Sequence, residues 1–424
     1  MTEPRAPETL GQHLLAADLE RQIAHWLAAA RTFRDAEEFA SLEAWRAVEA
    51  DLGASLRRRL HEAVEDVITL GERTTKLVAA AREDQTRLGE AARAVQRFRR
   101  RYAALDTTLD FFGDAVNSRT SPPLRAALQT LDRLAVASMA PPLERAGKPV
   151  PLALVYADKG TGASILKVDT ALWAPGTRNP VAAIKIVRHN LYRPTSLFHE
   201  TGHQVAHLTG WTPSIRESIS RALGNDTALR TMWTPWASEI AADTYAFLHT
   251  GYASVAALYD VVGDAETIMR WPLGDPHPVG WTRTLLGCAF AAECFGERGP
   301  WQSLAAAMIY RHPVSSAEPT IAPLLARSQQ KMRAIARACL DAPVPALEGL
   351  PMTSVLPPSR VSPAALAELE RTAGPALWTS SHWRTREGIR TVALAGLREA
   401  EAPQTAASWI ERARTWMTTD AKAA

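Results

Sequence analysis

The stretch Leu197-Phe198-His199-Glu200-Thr201-Gly202-His203-Gln204-Val205-Ala206-His207-Leu208 decides how this chain is read. Pro194 ends an extended segment ahead of it, Thr195 or Ser196 can cap a helix N-terminus, and Gly210 suits the left-handed residue past a helix end. The spacing therefore predicts one helix. His199 and His203 stand four residues apart on it, which puts them on one face about one turn apart. Two imidazoles so placed can meet on a single zinc ion. Glu200 projects beside them, where a carboxylate can take a proton from water without binding the metal. Gly202 weakens a helix interior, so its presence implies close approach of backbone, metal or a neighbouring element. The pattern points to a zinc-dependent hydrolase.

Such a site needs a third ligand. Position 209 is Thr and position 206 is Ala, which excludes a third histidine in the metzincin arrangement. His207 lies one turn past His203 and reads as a packed or supporting histidine rather than a ligand. The better donor lies in Trp236-Ala237-Ser238-Glu239-Ile240-Ala241-Ala242-Asp243-Thr244-Tyr245-Ala246-Phe247. Glu239 and Asp243 are again one helical turn apart among apolar neighbours. Glu239 completes a His₂Glu set with one position left for water. Asp243 can accept the free N–H of a ligating imidazole and fix its tautomer.

Together these motifs resemble the gluzincin metallopeptidases, the thermolysin-like class, which pair H-E-x-x-H on one helix with E-x-x-x-D on the next. The resemblance spans roughly residues 150–340. It implies zinc on His199, His203 and Glu239, Glu200 as general base, and Asp243 behind a ligand imidazole. It also implies a zincin-like domain, in which a small sheet leads into the metal helix and the last strand offers its edge to an extended peptide. Asp275-Pro276-His277-Pro278-Val279-Gly280-Trp281-Thr282-Arg283 is similar to the His-Pro…Arg stretch of relatives of the CAAX-prenyl endopeptidases, which places His277 and Arg283 near the site. Those relatives are membrane proteins, whereas no stretch here approaches the ~18 apolar residues of a membrane helix. A tetrahedral oxyanion needs a donor besides zinc, and His277, Tyr245 and Arg283 are the candidates in that order.

The rest of the chain sets bounds. With 424 residues, 46% of them hydrophobic, it has ample core for two or three domains. Lys and Arg total 48 against 45 Asp and Glu, a balance that gives no reason to invoke nucleic acid. Three cysteines, Cys288, Cys294 and Cys339, argue against a disulfide framework and read as small buried hydrophobes. The start of the sequence has no apolar signal region, so cytoplasmic location is the expectation, with non-classical export left open.

The expected class is α+β and mostly α, with the zincin-like domain preceded by a long-helix bundle. Residues 1–145 read as that bundle. A 4,3 seam runs from Leu77 to Leu109, broken only by Asp84, and implies a long helix packed on an internal or external partner. A protein partner through this arm is one expectation, a peptide or protein substrate another. Residues 146–345 read as the catalytic domain, with strands at 152–156, 164–168 and 181–187. The first two flank Asp158–Gly162 as a hairpin. Residues 346–424 read as a Pro-rich linker and helical tail, starting at Ser362-Pro363 with Ser as cap. Trp211, Trp233, Trp236, Trp271 and Trp281 suit a core better than a cleft. The alternative function is a non-catalytic zinc-stabilised helical scaffold, for which a fourth protein ligand would be the mark.

Overall fold

Helices carry most of the chain in the computed structural model, which describes residues 6–160, 162–168, 179–271 and 277–419. Two compact units divide it: Met1–Ser121 with Val168–Val181, and Pro122–Lys167 with Ala182–Ala424.

The first unit contains α1 (Ala6–Thr32), α2 (Leu42–Leu52), α3 (Ser55–Glu83) and α4 (Leu88–Asn117). Helices α1, α3 and α4 pack on one another, burying Ile23, Val64, Ile68, Phe98, Leu105 and Phe112. The partner of the heptad seam is thus internal. The seam is not one helix, however. Asp84 adopts an extended conformation at the end of α3. Its Oδ1 accepts from the Thr86 backbone N–H at 3.1 Å and from Thr86 Oγ1 at 2.6 Å. An aspartate that bonds its own local backbone competes with helix continuation, and α4 packs back along α3.

The second unit begins earlier than the expected boundary at 145/146. Helix α5 (Pro122–Arg145) runs through Pro141 and Pro142 and packs on β1 (Ala153–Ala157) and α6 (Thr195–Thr209). Asp132 Oδ1 on α5 accepts the Val155 N–H at 2.7 Å. The sheet has the order β1–β3–β2, with β2 at Ser164–Leu166 and β3 at Ala182–Ile186. Strand β1 runs parallel to β3, β2 antiparallel to it, and Ile184 faces both Val155 and Ile165. The expected β1–β2 hairpin is therefore wrong: β3 lies between them. Its apolar run, buried at four of five positions, is that of a central strand. Short β2, with Ser164 exposed, is an edge.

The remaining helices are α7 (Trp211–Leu223), α8 (Thr227–Trp233), α9 (Ala237–Thr250), α10 (Tyr252–Val262), α11 (Gly280–Phe295), α12 (Pro300–Arg311), α13 (Ala322–Leu340), α14 (Pro363–Ala373), α15 (Ala376–Thr379), α16 (Ser381–Glu401) and α17 (Ala406–Thr418). The Pro-rich stretch expected as a linker is folded into short 3₁₀ turns that bury Val344, Leu347, Met352 and Val361. Ser362 caps α14 as expected, accepting the Ala365 N–H at 3.2 Å. The tail is not separate either, since α16 packs on α9 and α10 and α17 on α5. Trp211, Trp233, Trp236 and Trp281 are core residues and Trp271 packs against them. The three cysteines are free; burial pushes the Cys288 thiol up to about 12, which keeps it unreactive. Among the described residues, no helix is long and apolar enough to cross a membrane.

Helix α6 starts after Pro194 without a side-chain cap, so neither Thr195 nor Ser196 caps it, and it ends at Gly210 with φ 69°. It lies directly on α9. A Cβ at Gly202 would stand 2.9 Å from Tyr245 Cβ and 3.0 Å from Ala242 Cα. Backbone cannot yield as a flexible side chain can. Gly202→Val is therefore expected to lower stability by about 1–3 kcal/mol, read as a lower urea midpoint. Gly11, with nothing within 4 Å of its Cβ position, is the control for substitution in a helix. An unchanged midpoint in Gly202→Val would remove this contact as a constraint.

Candidate metal site

The glycine contact brings the faces of α6 and α9 together at one spot. His199 Nε2 and His203 Nε2 lie 3.2 Å apart. His199 Nε2 is 3.3 Å from Glu239 Oε2, and His203 Nε2 is 3.3 Å from Glu239 Oε1. The three residues form a group able to hold a metal ion. The edges also have the right size: tetrahedral donors at zinc bond lengths of about 2.0–2.1 Å are roughly 3.3–3.4 Å apart. Glu239 Oε2 is buried without a well-formed hydrogen bond: His199 Nε2, Arg283 and His277 Nε2 stand off at 3.3, 3.5 and 3.6 Å, as around a carboxylate oxygen open to a cation. The donor set therefore fits a divalent ion.

The other face of each imidazole is held. Asp243 Oδ1 lies 2.9 Å from His199 Nδ1, and Ser238 Oγ lies 3.3 Å from His203 Nδ1. Both fix which ring nitrogen faces the donor triangle. Asp243 is in turn gripped by Arg283 of α11, whose Nε donates to Oδ2 at 2.5 Å and whose second nitrogen donates to Oδ1 at 2.7 Å. The same guanidinium is 3.5 Å from Glu239 Oε2.

Charge follows this geometry. Burial alone would raise the Glu239 carboxyl, but the imidazoles of His199 and His203, each 3.3 Å from one of its oxygens, hold it far below the usual range. Asp243 is lowered against the same burial penalty, chiefly by the positive charge of Arg283. Burial works against a charged His199, yet Asp243 and Glu239 together push it up to about 10 while no cation is present. His203 is lowered, by burial first.

Glu200 is buried, makes no hydrogen bond or ion pair with a described residue, and lines a cavity of about 470 Å³ together with His199. The far wall of that cavity is apolar, built from Phe247 of α9, Val255 and Leu258 of α10, and Leu286 and Phe290 of α11. Gly162 and Ala163, just ahead of edge strand β2, also line it. The strand edge on this side thus belongs to β2; β3, the last strand, is paired on both edges.

The other expected residues fall out differently. His277 is half exposed in the cavity wall, with Nε2 3.6 Å from Glu239 Oε2. Arg283 is near the donors but spends its fork on Asp243. Tyr245 is not at the site. It points the other way, fully buried, and its hydroxyl donates to the Ser138 carbonyl of α5 at 2.5 Å. Two residues past Asp243 on a helix is about 200° of rotation, so the two side chains face opposite sides. His207 is exposed rather than packed, and it is outside the donor group. Sequence reasoning missed Ser238 and Lys167. Ser238 directly precedes Glu239, and its hydroxyl gave no signal among the apolar neighbours. Lys167, directly after β2, is lowered by burial while Glu239 and Glu200 act to raise it. Its position follows from β2 pairing with β3, which the expected hairpin concealed.

No protein-family model, curated protein or solved structure matches this chain.

Beneath the donors, His249 packs between Phe198 and Tyr245, with ring centroids 5.6 and 4.6 Å away. Burial pushes it down to about 3, and its Nε2 makes no hydrogen bond. The unfolded chain binds this proton below an ordinary pKa of about 6.5, and the folded chain does not until about pH 3. Stability is thus lost as pH falls through that window, by about 2 kcal/mol between pH 7 and 5 from this group. Urea unfolding of wild type and His249→Phe at both pH values checks this: the variant should lose less stability on acidification. Equal losses would contradict it.

Proposed function

We propose that this chain is a zinc-dependent peptidase, with His199, His203 and Glu239 as metal ligands and Glu200 as general base. The observation that carries the reading is the donor group with the Glu200 carboxylate, unpaired among the described residues, in the wall of the same cavity. A zinc ion held there supplies Lewis-acid polarisation of a carbonyl and lowers the pKa of water. Glu200 accepts the proton of the attacking water and returns it to the amide nitrogen as the C–N bond breaks, giving a carboxylate and an amine. Asp243, anchored by Arg283, keeps His199 in the tautomer whose Nε2 faces the donors. His277, half exposed in the cavity wall with its Nε2 3.6 Å from Glu239 Oε2, is the candidate that stands nearest the cavity as oxyanion donor, since Tyr245 is turned away. The edge of β2 offers backbone groups to an extended peptide. The apolar wall takes a bulky apolar side chain next to the scissile bond.

The zinc-stabilised scaffold is less well supported. Among the described residues, the donor group contains three members and His207 is outside it, so no fourth protein ligand closes the set. The resemblance to gluzincins belongs with the catalytic reading, because a packing role gives no reason for the carboxylate of Glu200.

Glu200→Gln should retain zinc and lose at least a hundredfold in turnover. Glu239→Ala should lose zinc, measured as metal per protein after dialysis. Peptide-library digestion by wild type should show bulky apolar residues beside the cleaved bond. Full turnover in Glu200→Gln would remove it as the base. Equal zinc in Glu239→Ala and wild type would overturn the ligand assignment.

A further inference from the structure

A second cavity, of about 400 Å³, lies within the first unit, remote in sequence from the metal motifs. It is formed by the segment that follows α1, together with α2, the first half of α3, and α4. Its floor is apolar: Phe33, Phe39, Trp45, Leu60, Val64 and Leu109. Trp45 is held rigidly there, its indole N–H donating to the Ala36 carbonyl at 2.9 Å.

The rim is basic. Arg34, Arg57, Arg58 and His61 line the opening, against one acidic residue, Glu49. Two of the arginines are partly committed. Arg34 is paired with Glu65 at 2.7 and 2.9 Å. Arg57 stands 5.7 Å above the Trp45 ring and 3.6 Å from Glu49. Arg58 is exposed, and its guanidinium has no ion pair or hydrogen bond among the described residues. A guanidinium stays charged at any working pH and offers a planar fork to a carboxylate or phosphate. A cavity of this volume, apolar within and with a few charged groups at the mouth, has the make-up of a small-molecule site.

We propose that this cavity binds an anionic amphiphile, with its apolar body against Trp45, Phe33 and Val64 and its carboxylate or phosphate head at Arg58. A cationic amphiphile is disfavoured by the arginine rim, and a neutral one leaves Arg58 unpaired. The assignment does not depend on the metal chemistry of the other unit.

Decanoate, decanol and decyltrimethylammonium share one chain length and differ in head charge, so calorimetric titration of each into the full-length chain tests the idea. Decanoate should bind one-to-one and at least tenfold more tightly than the other two. A decyl phosphate titration then separates carboxylate from phosphate selectivity. Arg58→Glu, an exposed change that leaves the core alone, should weaken decanoate at least tenfold. Ala54→Trp, at the exposed rim, should block it by filling the mouth. Val261→Trp, in the cavity beside the metal donors, should leave it unchanged. Absence of decanoate binding, equal binding of the cation, indifference to Arg58→Glu and Ala54→Trp, or loss on Val261→Trp would each overturn the proposal.

Discussion

Helix α6 meets α9 with no side chain between them at Gly202, and the distances in the donor triangle depend on that contact. The facing nitrogens of His199 and His203 sit at the ends of imidazoles one turn apart, so their mutual spacing is set within α6. The carboxylate arrives from another helix. If α9 stood off by even one methyl group, Glu239 would leave the roughly 3.3 Å spacing that a tetrahedral ion requires. Ser138 and Tyr245 reinforce the contact from the side of α5, through the short hydrogen bond between them.

The site is also a problem in buried charge. Two carboxylates, two imidazoles and a guanidinium are brought together away from water, where unpaired ions are costly. Arg283 answers Asp243 fully and Glu239 in part, which leaves one Glu239 oxygen without a hydrogen bond. A cation held by the three donors would satisfy that oxygen and both imidazole lone pairs at once. Glu200 lines the cavity with His199, and among the described residues its carboxylate makes no hydrogen bond or ion pair.

The parts of this arrangement that were legible in the sequence are those set by helical period alone. Four-residue spacing placed His199 with His203 and Glu239 with Asp243, and Gly210 and Ser362 marked helix ends correctly. The same geometry, applied to Tyr245, would have turned it away from the site. What was hidden depends on pairings distant in sequence. Strand β3 entering between β1 and β2 cannot be seen from a glycine-rich turn that suits a hairpin. Packing of α5 on β1 and α6 accompanies a helix that continues through Pro141 and Pro142, and burial of Val344, Leu347 and Met352 turns a linker-like composition into structure. Asp84 was visible as a flaw in the seam, but only its bonds to Thr86 show that the flaw ends a helix.

In the proposed site two imidazoles and one carboxylate share a single divalent ion. X-ray absorption at the zinc edge, on protein purified with zinc and dialysed, reads this directly. About one zinc per chain is expected, with two imidazole nitrogens and carboxylate oxygen at about 2.0–2.1 Å and no sulfur. Sulfur at about 2.3 Å, a single imidazole, or a chain that emerges free of metal would contradict it.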